Sequence, residues 1–259
     1  MRRFTLPLVV LASVAIAALL TWIALSSASF GQRAPRTEAA AARAEPVTRA
    51  LPAFAQLDVS GTAEVMLVQG TTESVSIATD GRKHGRIDAE VRDGTLFVQS
   101  TDNSRWWEMV FGGGGSRAPQ VVVTFRDLTD IAAAGTVKIS AGTVKADALA
   151  ISGAGGTAIR IDDLTAQSLR LAGAGALKAE IAGRVTDQAV TISGAGEYKG
   201  GRLASQNATV TVAGAGQVVV SAEKTLKANI SGAGSVEYIG DPQVTERISG
   251  AGRVRKRAA

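Results

Sequence analysis

The unit Ser/Ala-Gly-Ala-Gly returns six times, at residues 152–155, 172–175, 193–196, 213–216, 231–234 and 249–252. Successive copies begin 20, 21, 20, 18 and 18 residues apart. A recurrence of that length is one coil of a solenoid. A single coil cannot bury its own apolar face, so its neighbours must stack on it. Two weaker copies extend the series backwards, Ile131-Ala132-Ala133-Ala134-Gly135 and Ser60-Gly61-Thr62-Ala63-Glu64-Val65.

The residues around each copy describe two short strands and a corner. Aligned on the last glycine, the residue before the unit is Ile131, Ile151, Leu171, Ile192, Val212, Ile230 and Ile248. Two positions after it stand Val137, Thr157, Leu177, Tyr198, Val218, Val236 and Val254. Two further on come Ile139, Ile159, Ala179, Gly200, Val220, Tyr238 and Lys256. This alignment predicts aliphatic ladders along the axis, the last of them broken by Lys256, where the core ends. Gly153, Gly155, Gly173, Gly175, Gly194, Gly196, Gly214, Gly216, Gly232, Gly234, Gly250 and Gly252 are expected as structural corner glycines. Ser152, Ser193, Ser231 and Ser249 are expected to form a hydroxyl ladder.

The fold expected is all-β: a β-helix or solenoid of about seven rungs with 18–21-residue repeats, Gly-Ala-Gly corners and an irregular N-terminal β cap. In that cap the strand pattern runs through residues 54–68 and 74–79, then through a hairpin turned by Asp93-Gly94. Val121-Val122-Val123-Thr124-Phe125 is expected to open the regular part.

Arg2-Arg3 precedes an uncharged run over 4–25. It fits a cleaved signal peptide and a retained membrane anchor alike, and either one exports the rest of the chain. Residues 1–28 are therefore a signal peptide or anchor, 29–52 an Ala/Pro-rich linker and 53–257 the head. Within the head, 53–100 hold the N-terminal strands, 101–119 a Gly/aromatic loop and 120–257 the repeat rungs.

Chemistry is sparse. There is no cysteine and a single histidine, His84, so disulfides, thiolate sites and multi-histidine metal sites are excluded. No metal and no cofactor is expected. Gly153-Ala154-Gly155-Gly156 is not a dinucleotide fingerprint, because strands flank it on both sides and no helix N-terminus meets a phosphate. No nucleic-acid partner is expected. The net charge is +5, and part of the surplus sits at the end, in Arg253, Arg255, Lys256 and Arg257. That end reads as a solvated cap against further stacking. Two departures from regularity are the candidate binding residues. One is the polar turn with Arg82 and Lys83 beside His84; the other is the loop with Trp106, Trp107, Met109 and Phe111 ahead of four glycines.

Phe54-x-x-Leu57-x-Val59, Val65-x-Leu67-x-Gln69-Gly70, Gly94-x-Leu96-x-Val98, Val121-x-Val123 and the serial Ser-Gly-Ala-Gly copies together resemble the putative auto-transporter adhesin head GIN domain family of bacterial envelope proteins. Val236-x-Tyr238-x-Gly240 followed by Asp241-Pro242 resembles its closing rung, although the tripeptide Gly-Ile-Asn is absent. The resemblance implies a β-solenoid and export. The function expected is a non-catalytic exported envelope protein, an adhesive or scaffolding head that binds surface glycan or protein. It would also meet the membrane through its N-terminal segment if that segment is uncleaved. The alternatives are a carbohydrate-binding or carbohydrate-active β-helix enzyme and an envelope-stress regulatory component.

Overall fold

The structure is a computed structural model, and the residues it describes are 47–78, 86–101 and 120–257. Every described residue belongs to one compact unit, within Arg43–Ala259. The described residues form strands and no helix. In chain order they are β1 (Val47–Ala50), β2 (Gln56–Gln69), β3 (Ser74–Ala78), β4 (Arg86–Arg92), β5 (Thr95–Thr101), β6 (Gln120–Phe125) and β7 (Asp130–Lys145). There follow β8 (Ala148–Gly200), β9 (Leu203–Ser221), β10 (Thr225–Gly232), β11 (Ser235–Ile239), β12 (Gln243–Gly250) and β13 (Arg253–Lys256).

These strands wind into a β-solenoid of about six turns, close to the seven rungs expected. β7 lies parallel on β2 with Gly135 opposite Gly61, and β8 lies on β7 with Gly155 opposite Gly135. β9 stacks on β8, β10 and β11 on β9, and β12 and β13 on those, all in parallel. Within a turn the inward side chains come in short alternating runs, such as Leu149, Ile151 and then Thr157, Ile159, Ile161 and Leu164, all buried. Each large aliphatic so enclosed stabilises the stack by ~1.5–3 kcal/mol, and none is enclosed without the turn above it.

The glycines of the repeat divide into two kinds. Corner glycines form one column, Gly61, Gly135, Gly155, Gly175, Gly194, Gly214, Gly232 and Gly250, all with positive φ between 90° and 127°. A Cβ on Gly155 would lie 2.7 Å from the carbonyl oxygen of Gly135, and one on Gly194 would lie 2.7 Å from that of Gly175. Backbone conformation and the approach of the next coil thus both demand glycine here. The other glycines face inward, two residues to one side of the corner, and make room for a large side chain two residues to the other side. A Cβ on Gly153 would meet Thr157 at 3.1 Å, and one on Gly173 would meet Leu177 at 2.5 Å. One on Gly196 would meet Ile192 at 2.8 Å, and one on Gly216 would meet Val212 at 2.9 Å.

The two kinds exchange places along the chain. In the copies at 152–155 and 172–175 the second glycine turns the corner; in the four later copies the first one does. Aligning every copy on its last glycine is therefore out of register by two residues after Gly175. Ile192 does not continue the column of Ile131, Ile151 and Leu171; it sits across from Gly196, where the earlier coils carry Gly153 and Gly173 in its place. Tyr198 stacks with Val218, Val236 and Val254, but not with Leu177, because Gly196 meets the Leu177 backbone. The serine ladder shrinks for the same reason. Ser231 pairs with Ser249, but Ser193 pairs with Ala213, and Ser152 stands two columns away.

The N-terminal layer covers the other edge of β2. β5 pairs with its first half and β6 with its second, both in parallel. β4 runs antiparallel on β5 through the turn at Asp93 (φ 49°) and Gly94 (φ 74°), while β3 runs antiparallel on β6 and β1 on β3. Val121 and Val123 thus do not open the regular stack. They close its end, because they pair with Val65 and Leu67 on the edge of β2 opposite β7. At the other end two of the inward columns turn polar, while Val244, Ile248 and Val254 finish the others. Glu246 stands opposite Ala228 and Lys256 opposite Tyr238, so the apolar ladders stop there as expected of Lys256.

One polar cluster is enclosed. The Tyr198 hydroxyl donates to Gln188 Oε1 (3.2 Å), and Gln188 Nε2 donates to Ser205 Oγ (2.7 Å) and the Ser221 carbonyl (2.9 Å). Ser205 Oγ donates to the same carbonyl at 2.6 Å. Burial pushes the Tyr198 phenol above its ordinary pKa, so it stays a neutral donor.

Candidate functional site

Arg82, Lys83, His84, Trp106, Trp107, Met109 and Phe111 lie outside the described residues. The strand ends that lead to them are neighbours: Ala78 pairs with Gln120 and Arg86 with Thr101. Both departures from the repeat therefore leave the same layer, beside the corner column, where the Ser100 carbonyl packs on Gly61.

The described outer surface has two contrasting faces. The two outward positions just ahead of the corner are small and neutral in four coils: Ala132 and Ala134, Ser152 and Ala154, Ala172 and Ala174, Thr191 and Ser193. Asp58 begins this face and Arg247 ends it. Beyond the corner the outward positions are charged, and the charges are matched between coils. Lys138 reaches Glu64 at 2.7 Å and Lys178 reaches Glu197 at 3.9 Å. Such cross-strand pairs favour one register, each by a fraction of a kilocalorie.

A hollow of about 810 Å³ opens in the charged face between β8 and β13. Its floor is the short outward residues Gln217, Val219 and Ser235. Long side chains rise on both sides, Glu180, Glu197, Lys199 and Arg202 on one and Glu237, Arg253, Arg255 and Arg257 on the other. The register sets this up: Gln217 lies between Glu197 and Ser235, Ser235 next to Arg253, and Val219 between Lys199 and Glu237.

Each carboxylate in the hollow is shared by two cations. Glu180 takes Arg202 at 2.7 Å and Arg160 at 3.8 Å, and Glu197 takes Lys199 at 2.9 Å and Lys178 at 3.9 Å. Glu237 takes Arg255, and Arg257 at 3.5 Å. The hydrogen bond from Lys199, with the charges of Lys199 and Lys178, holds the Glu197 carboxyl below its ordinary value. Arg255 does the same for Glu237, through its hydrogen bond first and then its charge, helped by Arg257 and Arg253. The lining thus holds five cations against three carboxylates. Arg160 and Lys178 at the rim raise the cations to seven, and Asp162, which takes Arg160 at 2.9 Å, raises the carboxylates to four.

This hollow was not foreseen from the sequence. Arg253, Arg255 and Arg257 stood out as a basic end, but their alternation with Val254 and Lys256 already put all three on one face. Reading the outward positions at the rung period would have brought Glu237, Glu197 and Lys199 to the same place. Among the described residues no group of three or more His, Cys, Asp or Glu side chains is placed to hold a metal ion.

The family model for the putative auto-transporter adhesin, head GIN domain, matches residues 53–242, most of the described stack. The chain belongs to this family. Solved structures share the head's architecture. A crystal structure of a putative adhesin from Bacteroides fragilis superposes with a TM-score of 0.70 at 20% identity, over 83% of this chain and 98% of that one. A putative lipid binding protein from Parabacteroides distasonis gives 0.58 at 20% identity, over 83% and 98%. A putative adhesin from Parabacteroides merdae gives 0.58 at 19%, over 83% and 97%. At these identities the likeness is one of fold. No curated protein matches the sequence. Among the described residues of this GIN-domain chain, no helix is long and apolar enough to cross a membrane; the run at 4–25 lies outside them.

Proposed function

We propose that the chain is a non-catalytic head of an exported envelope protein, which binds surface glycan or protein through side chains displayed on the solenoid. Its family supports the adhesive role, and the run at 4–25 behind Arg2-Arg3 supports export. The observation that carries the non-catalytic reading is the pairing of every carboxylate in the hollow with two cations. A glycosidase needs one carboxylic acid kept protonated near neutral pH beside a second carboxylate. Here Glu197 and Glu237 are held below their ordinary values, the opposite of what a general acid requires. Arg82, Lys83, Trp106, Trp107, Met109 and Phe111, which lie outside the described residues, are the second set of candidate contact residues.

The test is a glycan array probed with the full chain and with a variant lacking residues 106–115. The bound polymers are then sized by chromatography after incubation. Retention without shortening is expected, and the deletion should weaken it. Shortening that disappears in Glu180→Gln, Glu197→Gln or Glu237→Gln would make the protein an enzyme and overturn the reading.

A further inference from the structure

We infer that the hollow between β8 and β13 is a binding site for a linear acidic glycan, a polyuronate or similarly charged polysaccharide. The inference rests on the adhesive reading and names its ligand class. The first support is a surplus of cations that the hollow's own carboxylates do not neutralise, five against three in the lining. Arg253 takes part in none of the ion pairs around Glu237, whose partners are Arg255 and Arg257. A guanidinium has five donors and forks onto a carboxylate, so even the paired arginines keep donors to offer.

Second, the size of the hollow suits a polymer better than a single anion. Arg253, Arg255 and Arg257 follow one another on the outer side of the last coil at ~6.8 Å intervals. Lys199 lies three coils from Arg255, ~14 Å away at the usual strand spacing. A free phosphate would meet one of these walls; several sugar rings would meet both.

Third, the floor suits sugar. Gln217 and Ser235 offer neutral hydrogen-bonding groups for hydroxyls, and Val219 and Ile239 offer apolar ground for ring faces. A membrane surface would call for exposed apolar side chains, and among the described residues the large exposed ones, Met66, Val68 and Ile248, stand outside the hollow. Glu237 and Glu197 serve here as struts. They hold the cations in place before a ligand arrives and so reduce the ordering cost of binding.

The test titrates the full chain with fluorescent polygalacturonate, with dextran as the neutral polymer and phosphatidylglycerol vesicles as the anionic membrane. Variants are Arg253→Ala/Arg255→Ala on one wall, Lys199→Ala on the other, and Lys227→Ala, an exposed lysine outside the hollow, as the charge control. Polygalacturonate should bind and dextran should not. Loss of the two arginines should weaken binding about tenfold or more, and loss of Lys199 by a smaller factor, while melting falls only slightly, as loss of an exposed ion pair allows. Lys227→Ala should leave affinity within about twofold. Equal binding of both polymers, or hollow variants that behave like Lys227→Ala, would overturn the inference. Binding to vesicles without binding to polygalacturonate would overturn it in favour of a lipid surface. Neutral glycans retained on the array regardless of Arg253 and Arg255 would remove this inference and leave the adhesive reading standing. Retention of no glycan and no envelope protein would remove both.

Discussion

At the scale of the residue, a glycine in this chain is one of two things, and its neighbours decide which. Gly155 and Gly194 turn the corner with φ of 90° and 119°, while Gly153 and Gly196 make room for Thr157 and Ile192. An alanine at a corner meets backbone strain and a carbonyl that cannot move aside, at a cost of ~1–3 kcal/mol. An alanine at an inward site escapes the left-handed backbone strain but crowds Thr157 or Ile192 beside their branched β-carbons, which yield only in part; the stiffer unfolded chain offsets some of this, so the net cost, ~1 kcal/mol, falls below that at the corner. Gly155→Ala should therefore be the damaging substitution in the copy at 152–155 and Gly194→Ala in the copy at 193–196, although they occupy opposite ends of the same tetrapeptide. Urea denaturation of these two with Gly153→Ala and Gly196→Ala checks the reversal. The same end proving sensitive in both copies would refute it. Which glycine is which could not be read from the repeat itself, because the letters are identical. The flanks do not separate them either: Ile151 and Leu171 precede the earlier copies as Ile192 and Val212 precede the third and fourth, and Thr157 and Leu177 follow as Tyr198 and Val218 do, so only the stacking on the coil below decides.

At the scale of the element, each strand carries one inward and one outward column, and the charged outward columns fix its register on the strand below. Glu197 and Glu237 are held below the ordinary carboxylate range by their cationic partners. Their contribution to stability is whole above the unfolded-state value and is lost as pH falls through the lowered folded-state value. The melting temperature should thus stay level from about pH 5 to 8 and decline only below about pH 4. Glu237→Gln should make that acid decline shallower, as followed by thermal melts across pH; an unchanged profile would mean that the pair has no part in holding the coils. Much of this scale was legible beforehand. The turn at Asp93-Gly94, the corners at Gly135, Gly155 and Gly175, and the end of the core at Lys256 all follow from local pattern; from Gly194 onward the corner lies two residues earlier than the alignment puts it. The hollow was not legible in that way. Its partners are 22 residues apart for Arg202 and Glu180, 18 for Arg255 and Glu237, and meet only once the coils are stacked. Nor was the place of β6, since an apolar run says that it will be buried and not which edge of β2 will take it.

At the scale of the whole head, stacking converts a monotonous sequence into an ordered surface. The corner column and inward ladders keep the outer faces aligned over about six turns. One face stays small and neutral from Ala132 to Ser193, and the other gathers charge until Arg253, Arg255 and Arg257 close it. A solenoid built in this way can change what it displays by changing outward residues alone, with the inward columns untouched. The account turns on that charged face meeting an acidic polymer. It is tested most directly by the affinity of the full chain for polygalacturonate as salt is raised. Between ~0.01 M and ~0.15 M salt the screening length falls from ~30 Å to ~8 Å, below the span of the hollow. The affinity is predicted to drop about tenfold or more over that range; an affinity that stays constant or rises would contradict the account.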